Sequence, residues 1–129
     1  MLYITRFVIL FGGIFHLIFA VFHLFFWKIF HWQKDLSALS FVNRRIMHLL
    51  NFSLIFYFLT IAHISFFHGI ELMETSLGVT FLLAVSLFWF LRMLAQIILF
   101  GITNKKSLFL TVLFVAGSIL YLFPVIAGP

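Results

Sequence analysis

Six side chains stand out for the chemistry they offer in otherwise apolar surroundings: His16, His23, His48, Asn51, Arg92 and Gln96. Their spacing is helical. Gly12, His16, Ala20, His23 and Trp27 recur every three or four residues, and so do Arg44, His48 and Asn51, and Trp89, Arg92 and Gln96. Each set therefore falls on one face of a helix. Histidine titrates near neutral pH and can pass a proton. Arginine holds a fixed positive charge whose planar fork matches an oxyanion. Asparagine and glutamine orient such groups. Together they suit the binding or conduction of a small ligand or ion, either an anion or a proton. No Asp or Glu lies among them, which argues against a conventional cation carrier.

Two other chemistries compete for the same residues. His23 and His48 are the best axial pair for a haem b iron, with an arginine for a propionate. A zinc site would draw on His16, His23 and His48, but their depths spread widely. An enzyme acting on a lipid or quinone would use His23 or His48 as general base and Arg92 as anion holder. No nucleophile or metal motif supports this, and no catalytic residue is assigned. A weaker group, His63, His68, Glu71 and Glu74, has the ligand types for a divalent metal. A wet connecting loop is its simpler explanation. The chain has no cysteine, which removes thiolate sites and disulfides.

The elements that position these residues follow from composition. Of 129 residues, 65% are hydrophobic and only 9% charged. A soluble domain carries roughly a quarter charged residues, so the main solvent of this chain is the lipid bilayer. Four apolar stretches reach the ~20 residues needed to cross it: 7–30, 46–67, 77–100 and 108–127. The stretch after Arg6 is too long for a signal-peptide core and reads as a retained span. Pro124 falls in the last turns of the fourth stretch, where a lost backbone bond costs least. Short connections make consecutive helices antiparallel neighbours. The expected fold is all-α, a single four-span domain over 1–129: an integral membrane, antiparallel four-helix transmembrane bundle. Gly12 and Gly13, with Gly117 and Ser118, would allow close helix approach. Ser40 is a candidate N-cap for the second span, and Thr75 or Ser76 for the third. Leu36, Leu39 and Phe41 suggest an interfacial helical turn in the first connection.

Charge sets the orientation. Lys28, Lys34, Arg44 and Arg45 flank the first loop and Lys105 and Lys106 lie in the third, whereas the middle loop holds Glu71 and Glu74. Loops one and three are thus expected in the cytoplasm and both termini outside. No nucleic-acid motif accompanies the net charge of +5. Measured from the cytoplasmic ends, His23, His48, Asn51, Gln96 and Arg92 lie about 5–12 Å deep and His16 about 18 Å deep. Such a layer suits a bundle interior. The plainer alternatives are interhelical hydrogen bonding by the histidines and snorkelling by Arg92. Arg92 otherwise needs an anion: Asp35, a lipid phosphate or a bound ligand. A homo-oligomer, or an accessory subunit within a larger membrane complex, is the competing non-catalytic role.

Overall fold

Long apolar runs fold as helices in lipid, because only a helix satisfies every backbone group within its own segment. The computed structural model describes residues 1–129 and is entirely helical. Four helices are long and apolar enough to cross a membrane: α1 (Leu2–Leu24), α4 (Phe41–Phe67), α6 (Ser76–Phe100) and α7 (Lys105–Ala127). They hold 23, 27, 25 and 23 residues, or roughly 35–40 Å each at 1.5 Å per residue. Each exceeds the ~30 Å hydrocarbon core. Their surfaces carry exposed Phe, Leu and Ile along the whole length.

The connections are short helical pieces. After α1 come α2 (Phe26–Ile29), α3 (Trp32–Asp35) and a 3₁₀ turn (Leu36–Ala38), and α5 (Gly69–Glu74) precedes α6. The first expected span, 7–30, is interrupted: α1 starts at Leu2 and ends at Leu24, where Phe25 leaves helical geometry at φ −97°, ψ 10°. His31, between α2 and α3, adopts a left-handed backbone at φ 53°. Caps fix the next helix starts. The Ser40 hydroxyl accepts from the Asn43 N–H at 3.3 Å, and Thr75 accepts from the Gly78 N–H at 2.9 Å. Hydroxyls facing outward return a bond to their own helix: Ser53 to the Leu49 carbonyl, Thr60 to Phe56 and Thr80 to Ser76. Each hydroxyl is thereby satisfied within its own helix.

The chain divides into two compact units, one of residues 13–64 and one of residues 1–12 with 65–129. Helices α1 and α4 each contribute residues to both. In the larger unit, α6 and α7 pack along their length. The buried face of α7 repeats every three or four residues through Ser107, Thr111, Phe114, Gly117, Tyr121 and Pro124. The α5–α6 crossing depends on Gly78, where a side chain would collide with the backbone of Glu71 and Leu72.

Candidate histidine site and the polar pairs around it

In the unit of residues 13–64, the end of α1 dictates the chemistry. The last carbonyls of any helix lack partners within it, and His23 lies in the final turn of α1. Asn51 of α4 meets this need. Its side-chain amide donates to the His23 backbone carbonyl at 2.9 Å. The same side chain's oxygen lies 2.9 Å from His23 Nδ1. With the amide nitrogen committed to a carbonyl, the facing atom is a pure acceptor, so Nδ1 must carry the hydrogen. Asn51 thereby fixes the protonation pattern of the ring.

Aromatic rings pack around this pair. His23 is 2% exposed. It stacks on Phe26 at a centroid distance of 3.9 Å and lies 5.2 Å from Phe58. His16, fully buried, lies 5.8 Å from the same Phe58 ring and meets Phe15 edge-on at 5.6 Å. The two histidines are two helical turns apart, ~10 Å along the axis, and Phe58 touches both. His48 is exposed and sits edge-on to Trp32 at 5.4 Å. Trp32 in turn packs edge-on to Phe26 at 5.8 Å. Of the six expected site residues, His23 and Asn51 are therefore joined directly, and His16 shares the Phe58 contact with His23.

Arg92 and Gln96 belong to the other unit, where each meets α7. Gln96 donates to the Ser107 hydroxyl at 3.0 Å, and Ser107 donates to the Gly101 carbonyl at 2.6 Å. This chain ties down the turn between α6 and α7. Arg92 is half-buried, with its guanidinium carbon 5.3 Å from the centre of the Phe114 ring. No carboxylate lies within ion-pair distance of it. Phe114 also packs on Trp89 at 5.5 Å, three residues before Arg92 on α6. The guanidinium thus lies against the same ring that packs on Trp89.

Three further polar contacts in this unit escaped the sequence reading. Ser65 and Tyr121, both fully buried, join through their hydroxyls at 2.8 Å. Gly12 makes room for the tyrosine, since a Cβ there would lie 2.7 Å from its ring. Ser86 and Ser118 each donate to the other's backbone carbonyl, at 2.8 and 3.0 Å. The Thr5 hydroxyl lies 3.0 Å from the Met1 carbonyl and 3.1 Å from that of Gly128. A signal for the Tyr121 contact exists in the three-or-four spacing of Ser107, Thr111, Phe114, Gly117 and Tyr121, which marks the inward face of α7.

Of the outer group, His68 Nδ1 and a Glu71 carboxylate oxygen lie 3.3 Å apart in an exposed hydrogen bond that becomes an ion pair when His68 is protonated. The Glu71 carboxyl is held below the ordinary carboxylate value, chiefly by a backbone hydrogen bond and then by His68. No group of three or more His, Cys, Asp and Glu side chains is assembled that could hold a metal ion. The structure thus combines four long apolar helices with buried histidine, serine, threonine and tyrosine side chains. No protein-family model matches the chain, and comparison with curated proteins and with solved structures finds no match.

Proposed function

We propose that this chain is a small integral membrane protein, an antiparallel bundle of four spans, that binds and passes protons at His23 and His16. The observation that carries the reading is the double hydrogen bond from Asn51. A histidine held only for packing has no need of a fixed tautomer. One that relays a proton works best when its ring is held in a single tautomer. Burial among Phe26, Phe58 and Phe19 keeps competing water away. The basic residues of the first and third loops orient the protein with those loops in the cytoplasm and both termini outside. His23 then stands in the cytoplasmic half, with His16 nearer the midplane.

Proton flux into pH-gradient liposomes tests this directly. The purified protein should dissipate the gradient, and His23→Ala and His16→Ala should each abolish that flux while retaining helical content. Flux equal to that of protein-free liposomes, or unchanged by either substitution, refutes the reading.

The same observation favours a second reading. A metal-ligating histidine characteristically donates its other ring nitrogen to a fixed acceptor, as His23 does to Asn51. Haem iron held by His23, with His48 as the other axial candidate, would give a Soret band that His23→Ala removes. A colourless purified protein after expression with added haem rejects this alternative.

A further inference from the structure

We propose that Arg92 is the phosphate-binding residue of a phospholipid site on the exposed side of the α6–α7 pair. An anionic headgroup reaches its guanidinium past Ala95 and is held at the rim by Lys105 and Lys106. This proposal stands apart from the histidine reading and uses none of its residues.

Arg92 lies about 12 Å along the axis from the Phe100 end of α6, on a helix whose neighbouring Leu91, Leu94, Ile98 and Leu99 are exposed and apolar. A cation at such a place needs compensation. The structure supplies only the face of Phe114, at 5.3 Å. A ring face answers the positive charge but not the guanidinium's in-plane N–H groups. They require an oxygen acceptor, and no hydrogen bond or ion pair supplies one. The guanidinium lies against Phe114, nine residues along α7 from Lys105, so the acceptor must come to it.

Chemistry and geometry select a phosphate ester. The arginine fork matches two phosphate oxygens at once. Residues 75–129 carry Arg92, Lys105 and Lys106 and no Asp or Glu, so nothing nearby repels an anion. Lys105 and Lys106 open α7, where the helix dipole adds to their charge. The chain Gln96–Ser107–Gly101 holds that end in place. Ala95, three residues toward the Phe100 end from Arg92, is exposed. With only a methyl group there, the route along that face from the headgroup region to Arg92 is open.

The test uses the full chain in mild detergent, observed by native mass spectrometry with added phosphatidylglycerol, phosphatidylcholine or inorganic phosphate. The wild-type protein should retain one phosphatidylglycerol in preference to phosphatidylcholine. Loss of a charge-assisted contact in Arg92→Gln should weaken that retention about tenfold or more. Ala95→Phe, which leaves every charge in place, should weaken it comparably by closing the route. The Lys105→Gln, Lys106→Gln double variant should lose the preference for the anionic lipid. Equal retention by wild type and a folded Arg92→Gln variant overturns the proposal. So does inorganic phosphate that displaces the lipid or binds Ala95→Phe undiminished, because the site would then take a free anion. If Arg92→Gln fails to fold, Ala95→Phe decides, and undiminished lipid retention there refutes the site.

Discussion

Asn51→Leu replaces the side chain that joins α4 to the end of α1 with an apolar one of similar size. Two contacts vanish, one to His23 Nδ1 and one to the His23 carbonyl, each 2.9 Å long. The cost has two bounds. A buried group left without its partner costs about 1–3 kcal/mol. Interhelical polar contacts in membranes average only about 0.6 kcal/mol, because an unfolded chain in lipid also finds partners. Asn51 is itself only half-buried, and one of its contacts goes to an end carbonyl that other donors can reach. A loss of about 1–2 kcal/mol follows. The more specific consequence concerns the ring. In the wild type the neutral His23 should be the Nδ1–H form, because the Asn51 oxygen can only accept. In Asn51→Leu both neutral forms should appear. Nitrogen-15 NMR of selectively labelled histidine separates them, and reversible unfolding in detergent gives the stability. A wild-type His23 protonated on Nε2 alone, or a ring spectrum unmoved by Asn51→Leu, would refute the argument.

Three other outcomes are expected. Gly12→Ala drives a methyl group into the ring of Tyr121 and should destabilise the protein by about 1–3 kcal/mol, measured by thermal unfolding in detergent. A double-mutant cycle of Ser65→Ala with Tyr121→Phe should return a coupling of about 0.6 kcal/mol, and no more than about 1.7 kcal/mol, for their buried hydroxyl bond. Glu71 should titrate below an ordinary glutamate. Because its folded value is the depressed one, the local stabilisation of its carboxylate is fully present above the unfolded value and is lost as pH falls through the folded one. NMR titration should show this, with the Glu71 midpoint rising in His68→Ala and global stability unmoved, since the pair is exposed.

Hydropathy is additive and local, so the number of long apolar helices was legible residue by residue. Four stretches of apolar side chains required four helices, whatever those helices later touched. The caps were legible for the same reason, Ser40 outright and Thr75 as one of two neighbours with Ser76, since they act within one turn. The face of α7 that packs inward could also be read, from the spacing of its small and hydroxyl-bearing residues. The partners of those faces could not. The positions of His23 and Asn51 were compatible with a shared layer, but only the rotation and register of α1 against α4 brought the two together with both ends of the asparagine engaged. The end of α1 at Leu24 had no proline or glycine to announce it. That break makes the His23 carbonyl available, and so it decides which nitrogen of the ring holds its proton. Arg92 shows the same division. Its charge and depth demanded compensation from sequence alone, yet the compensation found is the ring of Phe114, an aromatic among 21 phenylalanines. Nothing local distinguishes that ring from the others, because which ring lies beneath a cation depends on how the two helices pack face to face across the turn that joins them.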